Sequence, residues 1–405
     1  MREVYADHAS TTRVAPEVLA AMEPSFGAAF GNPSSVHRRG EVAREAVEES
    51  RARVAALIGA LPEEVVFTAS GSEANNLALK GVAFGLGGAA AGTRAAPSRR
   101  RIVVSAIEHP SVLETARHLE SRGFPLTIVP VGPDGLVEVE RLREALGDDA
   151  ALVSVMWVNN EVGTVQPVRE IAAAAHTAGA LVHCDAVQAA GKLPIAVNES
   201  GVDLLSLAGH KFGGPPGAAA LFVKRRLRLV PLVHGGHQER SRRAGTENLP
   251  ALAGLGAAAE RAARRLAAAE PARLGLLGER LRAGLLAACP DTVLNGHSER
   301  RLPAIVNLCF RGVDGEAVLH ELDRLGISVS TGSACSAASP GPSHVLTAMG
   351  LSPQDAHASV RFSLGEGNDD ADVDWILKAT PDAVARLRAL QPPLAAGGPV
   401  VRRSG

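Results

Sequence analysis

The chain has 405 residues, 46% of them hydrophobic and 21% charged, with a formal net charge of −1. That length predicts two domains, and the composition is that of a soluble globular enzyme. The balanced charge argues against a nucleic-acid partner, no apolar run reaches membrane-spanning length, and Met1 to Asp7 lacks a signal-peptide core, so a cytoplasmic location with no membrane partner is expected.

In chain order, residues 41–58 carry apolar side chains at helical spacing and predict an amphipathic helix. A short strand over 65–68, a turn at 69–72 and a helix from 73 to about 81 follow, then a Gly- and Ala-rich surface loop over 85–100. Further strands are expected at 102–105, 151–158, 181–184, 202–207 and 218–223, with helices at 111–120, 138–146 and 168–178 between them. This alternation predicts an α/β fold, a doubly wound and mostly parallel sheet. Residues 251–288 are Ala-, Leu- and Arg-rich with helical spacing and lead out of that unit. The last third predicts a smaller α+β unit, with strands at 305–310, 327–330 and 359–364 and a helix at 316–325. Residues 372–390 read as helical with a break at Pro381, and the Pro/Gly/Ala-rich tail 391–405 as disordered. The expected division is a large domain over 15–255 and a small one over 256–390 joined by residues 1–14.

Lysine is scarce, at five residues, and Lys211 ends an apolar run that reads as a buried strand. A desolvated amine there becomes a nucleophile toward an aldehyde, and the aldehyde cofactor that enzymes hold this way is pyridoxal phosphate. Gly71 and Ser72, between a strand and a helix, would aim backbone N–H groups at a phosphate; taken alone, Ser72 reads more readily as an ordinary helix cap. Asp185 at a strand end could hold the pyridine nitrogen protonated, or be a loop acid. His109 at another strand end could lie on the ring and move protons, or simply start a helix, and Asn160 follows a third strand. One shared pocket explains these strand ends better than separate coincidences. The cysteines Cys184, Cys289, Cys309 and Cys335 form no Cys-x-x-Cys pair, which argues against a metal site and a disulfide framework. His183, Cys184 and Asp185 alternate in direction along a strand and cannot easily converge on a metal. Cys335 stands apart, in a run of small residues from Ser330 to Gly341 that suits a mobile, reactive thiol.

Several segments, taken together, resemble a known family: Asp7-His8-Ala9-Ser10-Thr11-Thr12, Phe30-Gly31-Asn32-Pro33-Ser34-Ser35-Val36-His37, residues 67–80, Glu108-His109, residues 158–166 and 183–188, Gly209-His210-Lys211, Arg243-Ala244-Gly245-Thr246-Glu247-Asn248, Gly332-Ser333-Ala334-Cys335 and Arg361-Phe362-Ser363-Leu364-Gly365. In order and spacing they resemble the cysteine desulfurases of the NifS/IscS type, within the class V aminotransferase group of fold-type I pyridoxal-phosphate proteins. The resemblance spans residues 4–390. It implies that Lys211 carries the cofactor as a Schiff base. Asp185 would pair with the ring nitrogen, Gln188 with the ring hydroxyl, and His109 would stack on the ring. Gly71, Ser72 and His210 would hold the phosphate, with Thr246 arriving from the second subunit of a homodimer. Arg361, helped by Asn160 and Asn32, would grip the carboxylate of L-cysteine. Cys335 would take the sulfur as a persulfide, releasing alanine, and pass it to an acceptor protein or small thiol for iron–sulfur, thio-cofactor or tRNA assembly. Selenocysteine lyase activity, transamination and a non-enzymatic protein with a decayed site are the competing readings; Cys335 speaks against the first two and the unbroken residue set against the third. Ala208 replaces a usual serine and His237 a usual glycine, so cofactor affinity and one turn are expected to differ from the family.

Overall fold

The computed structural model describes residues 2–88, 99–331 and 341–390. After β1 (Val4–Tyr5), seven strands form one sheet: β2 (Val65–Thr68), β3 (Arg101–Ser105), β4 (Leu126–Val129), β5 (Ala150–Ser154), β6 (Leu181–Asp185), β7 (Leu204–Ala208) and β8 (Ala219–Val223). Their order is β2-β8-β7-β6-β5-β3-β4, and only β8 runs antiparallel to its neighbours. Side chains alternate between two faces. Val103, Val153, Leu205 and Phe222 join one apolar cluster, with Val47 and Val54 of the helix Arg38–Ile58 and Leu255 of the helix Leu249–Ala267. Ile102, Leu152, Leu204 and Leu221 join another, with Leu77 of the helix Gly71–Gly88 and Val112 of the helix Pro110–Ser121. Helices on both faces explain why these strands read as near-continuous apolar runs. The fold is the doubly wound α/β arrangement expected from the sequence.

Five more strands follow: β9 (Thr292–Asn295), β10 (Ile305–Phe310), β11 (Ile327–Ser328), β12 (Ser330–Thr331) and β13 (Ser359–Ser363). Four make an antiparallel sheet in the order β12-β13-β10-β9. A third apolar cluster, around Val306, Phe310, Phe362 and Ile376, lies beneath it. β11 pairs with β1, and Asp7 bridges to Ser363, so the N-terminal segment is anchored on this smaller sheet before it passes the large one.

Several boundaries differ from the sequence expectation. The strand expected over 151–158 ends at Ser154, because β3 ends at Ser105; the chain then bonds to β6 and turns into a short hairpin through a Val158–Val165 bridge. The helix expected from residue 73 begins at Gly71 and continues to Gly88, inside the stretch read as loop. The helical stretch 251–288 is two helices, Leu249–Ala267 and Glu270–Ala288, broken where Ala269 takes φ 54° just before Pro271. The helix Asp370–Leu390 runs through Pro381 without a break. Burial of Ala379, Ala383 and Val384 on either side holds it, at the cost of one backbone hydrogen bond. Residues 327–330 are two short strands serving different sheets. The tail 391–405 lies outside the described residues.

Candidate active site

A cavity of about 290 Å³ opens at the C-terminal ends of the parallel strands, where open α/β sheets bind ligands. Gly71, Ser72, His109, Asn160 and Asp185 line it. So do Gln188, Ala208, His210, Lys211 and Arg361. They come from five segments that follow or end strands of the large sheet, residues 71–72, 109, 160, 185–188 and 208–211, with Arg361 supplied by β13 of the smaller sheet.

Lys211 closes the turn Gly209–Lys211 directly after β7. Its Nζ donates to the carbonyls of Ala9 and Ser10 at 2.7 and 2.6 Å, which places the amine against the N-terminal segment. Asp185 ends β6 and is 5% exposed. Its Oδ2 accepts from Asn75 Nδ2 at 2.7 Å and its Oδ1 from the Val187 N–H at 2.9 Å, so the carboxylate is fixed on both sides. Gln188 donates to the Ala9 carbonyl at 2.7 Å and accepts from Lys192 at 2.7 Å. Burial, then Lys211 and Arg361, push Lys192 down to about 7.

The turn at Gly71 is fixed by its neighbours. Ser70, not Ser72, caps the helix: its Oγ accepts from the Glu73 N–H at 3.1 Å, while Glu73 accepts from the Ala69 N–H at 2.8 Å. Ser72 is thereby released from capping. A Cβ on Gly71 would sit 2.8 Å from Val187 Cγ2 and 3.6 Å from Ala208 Cβ, so any other residue would have to push Val187 aside. Glu73 also pairs with Arg243 at 2.9 Å. His210 Nδ1 lies 3.1 Å from Thr11 Oγ1, and burial together with Lys211 and Lys192 lowers its pKa to about 4.

On the opposite wall, His109 caps the helix Pro110–Ser121 by accepting the Ser111 N–H at 3.1 Å on Nδ1. Burial lowers its pKa, Lys211 and His344 act in the same direction, and Asp185 opposes them. Arg361 on β13 is 2% exposed. It donates to the Asn160 carbonyl at 2.8 Å and to Asp7 and Ser10 Oγ at 2.7 Å each. Three separate acceptors thus aim one guanidinium at the cavity. His183 is not turned to the cavity chemistry. It lies buried between Ser154 and Ser206, at 2.8 and 3.0 Å.

The aminotransferase class-V family model matches residues 4–376. The chain belongs to the class-V aminotransferases. Cysteine desulfurase 2 of Trichormus variabilis is 43% identical, covering 97% of this chain and 96% of the relative. A solved NifS-like protein superposes with a TM-score of 0.87 at 34% identity, over 95% of this chain and all of that one. A structure titled SspA in complex with cysteine gives a TM-score of 0.77 at 36% identity, over 89% of this chain and 98% of the other.

Not every residue expected in the site of this class-V aminotransferase meets the cavity. Asn32 is exposed and accepts from the Ser34 N–H at 2.9 Å, forming its own turn. Thr246 is exposed and away from the cavity of its own chain. Cys335 lies outside the described residues. His237 takes φ −91°, so the loss of glycine causes no strain there. The left-handed residues are instead Glu239, Arg240 and Ser241, held by a buried pair between Glu239 and Arg51 at 2.6 Å. Asn75, Ser111 and His344 were not anticipated from the sequence. Asn75 has a periodic signal, one helical turn after Ser72, whereas His344 carries none.

Proposed function

We propose that the chain is a pyridoxal-phosphate-dependent cysteine desulfurase, converting L-cysteine to L-alanine and leaving the sulfur on Cys335 as a persulfide. One observation carries this reading: Lys211, Asp185, His109, Gln188 and Arg361 line a single cavity beside a glycine turn pressed against Val187. Those residues fit pyridoxal phosphate. Gly71, Ser72 and His210 would receive the phosphate, Asp185 the ring nitrogen, Gln188 the ring hydroxyl and Lys211 the aldehyde. When bound, the cofactor supplies an electron sink for the carbon next to the substrate amine. The curated relatives named cysteine desulfurase and the solved relative holding cysteine point the same way.

The residues divide the work. Arg361, preset by Asn160, Asp7 and Ser10, holds the substrate carboxylate. Asp185, clamped by Asn75 and Val187, is held in place on the cavity wall. Lys211 Nζ takes the α-proton once the substrate amine has displaced it. The thiolate of Cys335 forms the S–S bond. The carbon–sulfur bond breaks with its electron pair left on carbon, and a proton there completes alanine. The described cysteines do not compete for this role: Cys184, Cys289 and Cys309 are buried, and burial pushes all three thiols upward.

The same reading includes a large domain over 15–255, a small one over 256–390, a cytoplasmic homodimer whose second subunit lends Thr246, and an acceptor protein or small thiol for the sulfur. It is tested by alanine and sulfide release from L-cysteine by the wild type, Cys335→Ala and Lys211→Ala. Both variants lose turnover and only Lys211→Ala loses covalent cofactor. Full activity in Cys335→Ala rules out the persulfide step, and a colourless wild type favours a decayed site.

A further inference from the structure

Of the three histidines that line the cavity, His109 and His344 are given opposite characters by their hydrogen bonds. His109 Nδ1 accepts from the Ser111 N–H at 3.1 Å, so the ring proton of neutral His109 resides on Nε2. That ring presents a donor. His344 is arranged the other way. Its Nε2 lies 2.9 Å from the Glu108 carbonyl, which can only accept, so Nε2 carries the proton and Nδ1 keeps its lone pair. Nδ1 makes no hydrogen bond among the described residues, and His344 lines the cavity.

His344 is also firmly placed. Ser343 caps the helix His344–Ala348 by accepting the Leu346 N–H at 3.2 Å, and donates to Glu161 Oε2 at 2.5 Å. The groups around the His344 ring are Glu108, His109, Glu114 and Arg117. Burial holds Glu108 neutral up to about 8 and holds His344 below its ordinary range, so the lone pair is available at neutral pH.

An amino acid arrives with its amine protonated, and that amine must lose a proton before it can attack a Schiff-base carbon. We propose that His344 Nδ1 is the acceptor of this proton, a further catalytic residue of the site that rests on the desulfurase reading above. The N–H bond of the substrate ammonium breaks, its electron pair stays on the substrate nitrogen, and the proton binds Nδ1. His109, whose Nδ1 is taken up by Ser111, remains the donor of the pair.

The test uses holoenzyme with His344→Gln, whose amide can still donate to the Glu108 carbonyl, and His344→Asn as a second variant. The absorbance change of the bound cofactor on mixing with L-cysteine, and separately with L-alanine, is followed by stopped flow across pH. Below the ammonium pKa of the free amino acid, which its own carboxylate holds above that of a peptide amine, each variant should slow about tenfold per pH unit relative to wild type, with both amino acids. Added imidazole should restore the rate, while cofactor content and melting temperature stay unchanged. A pH profile identical to wild type overturns the proposal. So does a defect confined to L-cysteine, which would assign the proton to the thiol. If wild type gives no spectral response to L-cysteine, the desulfurase reading itself fails; a normal wild-type response with unaltered variants removes only His344.

Discussion

Replacing Ala208 by serine tests the phosphate cradle from within. Ala208 is 1% exposed, lines the cavity, and its Cβ lies 3.6 Å from where a Cβ on Gly71 would stand. Its backbone is extended, at φ −139° and ψ 128°, which serine adopts without strain. The added hydroxyl would enter the part of the cavity beside Gly71, where the phosphate is proposed to sit. A hydrogen bond to a charged acceptor contributes about 1.5–3 kcal/mol, and desolvating the hydroxyl offsets part of that. A net gain of about 1–2 kcal/mol is roughly a tenfold lower dissociation constant for pyridoxal phosphate. Titration of the apoprotein with the cofactor, followed by absorbance, measures it directly. The half-time of cofactor loss on dialysis gives an independent reading. Equal or weaker binding by Ala208→Ser, with an unchanged melting temperature, would refute the placement of the phosphate beside residues 71 and 208.

Two other outcomes follow from the same geometry. Gly71→Ala drives a Cβ to 2.8 Å from Val187 Cγ2, so it should weaken cofactor binding without unfolding the chain, and Val187→Ala in the same molecule should recover part of the loss, both read by the same titration. Glu108 is raised to about 8, first by burial, so the native state keeps a proton that the unfolded chain has already released. Its contribution is intact below the ordinary carboxylate range and is lost as pH rises toward about 8, by at most about 1.4 kcal/mol per pH unit. Urea denaturation at a series of pH values should therefore show a flatter curve for Glu108→Gln than for wild type; parallel curves would contradict the assignment.

Much of the sheet was legible because its strands are buried on both faces and its turns carry polar residues. Lys211, Asp185 and His109 each stand at a strand end, and topology alone brings strand ends together. Element limits were less legible. Val155 to Val158 are apolar because the fold covers them, although the sheet has already ended at Ser154. Pro381 is a helix breaker by local chemistry, yet tertiary packing of Ala379, Ala383 and Val384 overrides it. Ser72 could be read as a cap or as a cradle residue, and the choice turned on Ser70 and Glu73, whose pairing is plain only once their hydrogen bonds are seen. Asn75 and His344 entered unannounced for a different reason. Their roles come from single hydrogen bonds to Asp185 and Glu108, made across the fold between residues far apart in the chain.

Lys211 is the proposed attachment point of the cofactor. Borohydride reduction of the coloured protein, followed by proteolysis and mass mapping, tests it most directly. Lys192 is a fair rival, since burial lowers it to about 7 and it bonds to Gln188 on the cavity wall. The pyridoxyl group should be found on Lys211 in the peptide that follows β7. A label on Lys192, or on no lysine at all, would contradict the account.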